Sequence, residues 1–175
     1  MAEPAPAPEA PLEPLNLAPV ARAVVVVGLV LVVVSGFLEW AGRNFAPAGE
    51  SQSFGGLDVP AKFLVDSEAN LDGGGLPLGL LVIVVGVVGL AGAFAPIRRR
   101  DLLVWASGAV SVVIALLYLY QLNDFMDRVN EAFPPGGFGA RNTVGFGAAL
   151  CGFGGVLTLA GAGLGVYARR GASDR

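Results

Sequence analysis

The chain predicts an all-α membrane protein, a four-helix transmembrane bundle with one partly ordered outer loop. Three observations lead there. Four apolar runs stand at 19–38, 76–95, 102–121 and 143–168, each long enough to cross a hydrocarbon layer roughly 30 Å thick at 1.5 Å rise per residue. Inside those runs the only charge is Arg22, near the start of the first. Charged residues make up 14% of the 175 positions, against about 25% in soluble domains, and the mean hydropathy is +0.68.

The first 18 residues alternate proline with alanine, glutamate and leucine. Frequent proline removes backbone donors and fixes φ, so this stretch is expected to be an extended, disordered cytoplasmic tail. It carries Glu3, Glu9 and Glu13 and no basic residue. A cleaved signal peptide begins with a basic segment, so the first run is expected to stay as a signal-anchor helix.

Orientation follows from the basic residues, which crowd cytoplasmic boundaries. Arg22 flanks the first run, Arg98, Arg99 and Arg100 divide the second from the third, and Arg169, Arg170 and Arg175 follow the fourth. The other side has the scattered Arg43, Lys62, Arg128 and Arg141. Both termini and the triple arginine are therefore expected in the cytoplasm of a multi-pass plasma-membrane protein. An exposed i,i+4 ion pair, Glu39 with Arg43, is expected only if the first helix runs on.

The loop 39–75 is the only sizeable polar segment, yet Phe54, Leu57, Val59, Phe63, Leu64 and Val65 recur in it. That apolar content predicts a short strand or small amphipathic helix folded down on the outer helix ends, with Asp58, Lys62 and Asp66 on its wet side. Asp72 and three following glycines make a flexible lead into the second run. The second outer loop, 122–142, is expected to be irregular, with Pro134-Pro135-Gly136-Gly137 near its end. Residues 169–175 form a short cytoplasmic tail.

The fourth run repeats small residues at steps of four and three: Gly147, Cys151, Gly154, Thr158, Gly161 and Gly165. That spacing holds one stripe on one side of a helix. The second run repeats the theme with Gly79 and Gly86, and the third offers Gly108, Ser111 and Ala115. Helices in lipid associate by close backbone approach, which small residues permit. The stripes are expected to close the bundle or to face a second membrane protein or another copy of the chain. Trp40, with Tyr118 and Tyr120, is expected in the outer aromatic belt, and Trp105 in the inner one.

Several functions are disfavoured. The sequence has no histidine and a single cysteine, so the usual ligands of zinc, haem or copper are missing. No cofactor is expected. Cys151 suits a small packing role. Asp72, Asp124 and Asp127 stand near outer helix ends but lack any ligand spacing for a divalent cation. The net charge of −3 gives no basic surface for nucleic acid. Ionisable residues inside spans mark ion or proton paths, and these runs lack them. Their hydroxyls are expected to bond back to helix carbonyls.

The order of features resembles small four-span membrane proteins of unknown function from high-GC Gram-positive bacteria, the actinobacterial type. The resemblance rests on Phe37-Leu38-Glu39-Trp40 at the end of the first run, where those proteins usually have proline before the tryptophan. It rests also on Asn70-Leu71-Asp72-Gly73-Gly74-Gly75 before the second run and on Gly145-Phe146-Gly147 opening the fourth. It covers residues 20–168 and implies no activity or site residue. The functional expectation is a non-catalytic accessory or scaffold subunit of a larger cell-envelope complex. The alternative is a small transporter or channel acting as an oligomer.

Overall fold

A computed structural model describes residues 17–45, 50–66, 74–94, 100–132 and 140–173. The expectations for the proline-rich tail up to residue 16, for Asp72, for Arg98 and Arg99, and for the Pro-Gly segment 133–139 lie outside the described residues.

Four helices dominate: α1 (Leu17–Ser35), α2 (Leu78–Phe94), α3 (Arg100–Ala132) and α4 (Phe146–Ser173). Three of them contain stretches long and apolar enough to cross a membrane, Leu17–Ser35, Asp101–Arg128 and Phe146–Arg170, while α2 is a shorter apolar helix. Each helix packs on its chain neighbours and α1 closes the ring against α4, its most extensive partner.

The fold is not all-α. Strands β1 (Glu39–Phe45), β2 (Glu50–Gly55) and β3 (Ala140–Val144) form an antiparallel sheet in the order β2-β1-β3. Both expected outer loops contribute to it. α1 ends three residues early because Gly36, Phe37 and Leu38 turn back through N–H bonds to Val33, Val34 and Ser35, and the chain leaves in extended form. Glu39 and Arg43 thus lie along a strand, where four residues span about 13 Å, and the expected helical pairing geometry does not arise. Thr143 and Val144, expected to open the fourth helix, pair with Gly42 and Ala41 instead. Gly145 N–H then bonds to Trp40 O at 2.8 Å, and α4 starts at Phe146.

α3 also exceeds its expected length, absorbing half of the second outer loop as helix. Leu122 is buried, Phe125 and Met126 pack on the core, and Arg128 pairs with Asp124 at 2.8 Å on the outside. Amphipathic spacing and an i,i+4 pair thus carry the helix past its apolar run. α4 likewise continues through the expected tail to Ser173. Its Arg169 and Arg170 sit near a C-terminus whose dipole favours positive charge.

The larger side chains cluster toward the sheet. Trp40, Phe54, Phe63, Tyr118 and Leu122 form one core there with Val32, Val82 and Cys151, whereas the opposite half is held by the smaller group Val25, Leu29 and Val104. The bundle therefore has a capped end, covered by the sheet and the 3-10 turn Ala61–Leu64, and an end that is open among the described residues.

Candidate functional site

At the capped end the organising feature is a β-bulge. Glu39 pairs with Gly55 and Ala41 with Phe54, which leaves Trp40 as the extra residue of β1. A bulge re-aims the side chain it carries, and Trp40 points into the bundle, fully buried. Its Nε1–H donates to Ser35 O at 2.8 Å. The Tyr118 hydroxyl donates to Trp40 O at 2.9 Å, and the two rings meet edge to face with centroids 5.0 Å apart. Phe63 continues the cluster to Tyr118 and Phe125. The expectation that Trp40 and Tyr118 lie in a lipid-facing belt is thus corrected: the bulge turns one inward and α3 supplies the other from its buried face. Tyr120 is 69% exposed and remains on the outside.

The 53–66 segment rests on the helix ends. Phe54, Val59, Phe63 and Leu64 are buried, while Leu57 and Val65 are exposed. Its carbonyls serve the N-terminus of α2: Leu78 N–H bonds to Val59 O at 2.7 Å and Gly79 N–H to Gly56 O at 2.6 Å. Two of the N–H groups that a helix start leaves unpaired are satisfied this way. Gln121 Nε2 donates to Leu64 O at 3.3 Å. Pro60 precedes the 3-10 turn, and Lys62 and Asp66 pair at 3.2 Å on the wet side.

The small-residue stripe of α4 lies within the chain. A Cβ at Gly154 would stand 2.7 Å from Gly28 O, and one at Gly161 2.8 Å from Val25 N, so both face α1. Gly147 fits under the Trp40 ring. Cys151 and Thr158 are fully buried, with Cys151 Sγ 3.6 Å from Ser111 O. Gly165 is looser, its nearest neighbour the Ala21 methyl at 3.8 Å. Gly79 meets Gly36 and Gly56, and Gly86 meets Val33 of α1. Gly155, one residue on from Gly154, faces α3 at Gly108 O, as a rotation of about 100° per residue requires. Sequence reasoning missed Gly28 of α1 and Gly36 in the turn that follows it, partners of these contacts. Their isolation in a valine-rich run was the available signal. Ser35, Ser111 and Thr158 donate to Val32 O, Ser107 O and Gly154 O at 2.7–2.8 Å, within their own helices.

The open end holds a cavity of about 350 Å³ lined by all four helices. Val25, Val104 and Gly161 contribute to its apolar wall, with Arg22, Asp101 and Arg169 among the lining residues. Arg169 donates to Asp101 Oδ2 at 2.7 Å and to Gly165 O at 3.2 Å. The Arg22 guanidinium lies over the Phe94 ring, 5.1 Å from its centroid. Trp105 lines the same cavity and is partly exposed. Arg170 is exposed at the same end, and Arg100 opens α3, so the described members of the basic set gather there. Among the described residues no group of three metal-ligating side chains occurs.

Compared with protein-family models, curated proteins and solved structures, the chain matches none.

Proposed function

We propose that the chain is a four-span integral membrane protein of the plasma membrane, with both termini cytoplasmic, acting without catalysis as an accessory or scaffold subunit of a larger envelope complex. We place it with the small four-span proteins it resembles. One observation carries the membrane reading: all four helices, the short one included, turn large apolar residues outward. Val27 and Val34 of α1, Val84 and Val87 of α2, Val113 and Leu116 of α3, and Phe153 and Val156 of α4 are all 43–61% exposed. Glycine, serine and threonine face inward. Soluble monomers rarely expose contiguous apolar patches larger than a few hundred Å², whereas here every helix turns apolar side chains outward. α2 is about 26 Å long at 1.5 Å per residue, and its packing against α1 and α3 supports counting it as a span.

A scaffold is favoured over a transporter because the buried hydroxyls close on their own helices and the glycines bring the backbones together. The glycine stripe is used within the chain, so a partner would meet the cap instead. There Val65 is 79% exposed and Leu57 46%, and β2 is an outer strand of the sheet among the described residues.

Two measurements test this reading. In intact cells an impermeant thiol reagent should label Gln52→Cys and spare Arg99→Cys; the reverse pattern overturns the orientation. A stoichiometric membrane protein should survive mild detergent extraction with the wild type and be lost with Val65→Glu. Its retention by that variant overturns docking at the cap.

A further inference from the structure

From the open-end cavity we infer a binding site for an acidic phospholipid, with the phosphate headgroup at the two arginines and one acyl chain passing inward along the apolar wall. The inference rests on the four-span reading above.

Charge is the first argument. The cavity lining carries Arg22 and Arg169 against the single carboxylate of Asp101, a net charge of +1. Arg22 is positioned by stacking on Phe94 and Arg169 by its bonds to Gly165 and Asp101. A guanidinium presents five N–H donors, so Arg169 retains its forked shape for a phosphate oxygen beyond the two bonds it makes. Basic pockets between helices on the cytoplasmic side suit acidic headgroups for this reason.

Shape is the second. The space is bounded by all four helices, and its wall includes Val25, Val104 and Gly161. Its volume of about 350 Å³ is at the small end of ligand sites, which run from about 300 to 1,000 Å³. One chain segment suits it better than a whole two-chain lipid.

Access is the third. Outward-facing apolar residues stand beside the polar groups: Val20 near Arg22 and Leu102 next to Asp101, 49% and 62% exposed. An amphiphile moving laterally in the leaflet meets apolar surface and charge together. A soluble anion gains nothing from the apolar wall. The smaller core in this half of the bundle leaves the space that the aromatic cluster fills at the other end.

The two tryptophans give a direct readout, since Trp105 lines the cavity while Trp40 is fully buried at the far end. The protein is reconstituted in phosphatidylcholine, and Trp105 quenching is compared for brominated phosphatidylglycerol and brominated phosphatidylcholine at matched low mole fraction. A Trp105→Phe variant supplies the Trp40 background. The expected result is a preference of about fivefold for the acidic lipid, the factor that one net positive charge at the surface gives. Arg22→Gln with Arg169→Gln leaves only the Asp101 carboxylate in the lining and should bring the ratio to one or below, and Arg22→Lys with Arg169→Lys should retain most of it, each variant being checked for native helix content.

Equal quenching by the two lipids in the wild type overturns the site while leaving the four-span reading intact. Trp105 left unquenched in a fully brominated bilayer overturns the four-span reading itself. Loss of the preference on adding millimolar inorganic phosphate, with the preference kept in chloride of the same ionic strength, assigns the arginines to a free anion and overturns the lipid assignment.

Discussion

Substituting Gly154 by alanine tests the packing logic of the bundle at the seam between α1 and α4. The added methyl would stand 2.7 Å from Gly28 O and 3.0 Å from both Val32 N and Val32 Cγ2. A comfortable contact needs about 3.5 Å. Two of the three obstacles are backbone atoms, which cannot rotate aside, so α1 and α4 must part by several tenths of an ångström. Overpacking of that kind costs about 1–3 kcal/mol. Alanine returns up to about 1 kcal/mol through its better helix propensity. The net effect expected is a loss of about 1 kcal/mol.

Gly163→Ala is the matching control, because its Cβ would meet nothing nearer than Trp105 Cη2 at 4.0 Å. The propensity gain is common to both substitutions and cancels in their difference. That difference isolates overpacking and should be about 2 kcal/mol, or roughly 4–8 °C in melting temperature for a chain of this size. Cys151, the only cysteine, is fully buried, so a thiol-reactive fluorogenic dye reports unfolding in detergent, with far-UV circular dichroism as a second probe. Gly161→Ala should follow Gly154→Ala, and Gly165→Ala should follow Gly163→Ala. Indistinguishable melting of Gly154→Ala and Gly163→Ala by both probes would refute the reasoning.

Three further outcomes are expected. Tyr118→Phe removes the bond to Trp40 O and should lower stability by about 1 kcal/mol, read as a small drop in melting temperature with the near-ultraviolet signal of Trp40 retained. Phe63→Ala empties a fully buried site in the cap and should cost about 3–5 kcal/mol; amide exchange of residues 56–66 and of Leu78 should quicken first, and unchanged protection there would count against the cap as a packed unit. Asp101→Asn breaks the 2.7 Å pair with Arg169, but both side chains are about half exposed, so the thermal shift should correspond to no more than about 1 kcal/mol and should shrink as salt is raised.

The helices were legible in the sequence because their signals are local. An uninterrupted apolar run and small residues at steps of three and four need no knowledge of the rest of the chain, and the stripe from Gly147 to Gly161 lies where that periodicity puts it. The ordering of 53–66 was legible from its apolar content. The buried face of α3 is also legible: Ser111, Ala115, Tyr118 and Leu122 continue one helical row, and a row begun by small residues carries Tyr118 inward rather than into the belt.

The sheet belongs to the other category. Its strands are short and polar, without the alternation that marks a half-buried strand, and β1 pairs with β3 across about a hundred residues of sequence. Nothing local to Thr143 distinguishes a strand end from a helix start until Gly42 lies beside it. The bulge at Trp40 has the same origin, since an extra residue exists only relative to a partner strand. So does the open-end cavity, which collects Arg22, Asp101 and Arg169 from three separate helices. By itself the sequence determined which segments coil and which faces are small, since hydrophobicity and helical period act over a few residues. The tertiary structure alone decided that the loops form a β-cap, that Trp40 turns inward and that charge surrounds an apolar cavity, because these depend on contacts between distant segments once the helices pack.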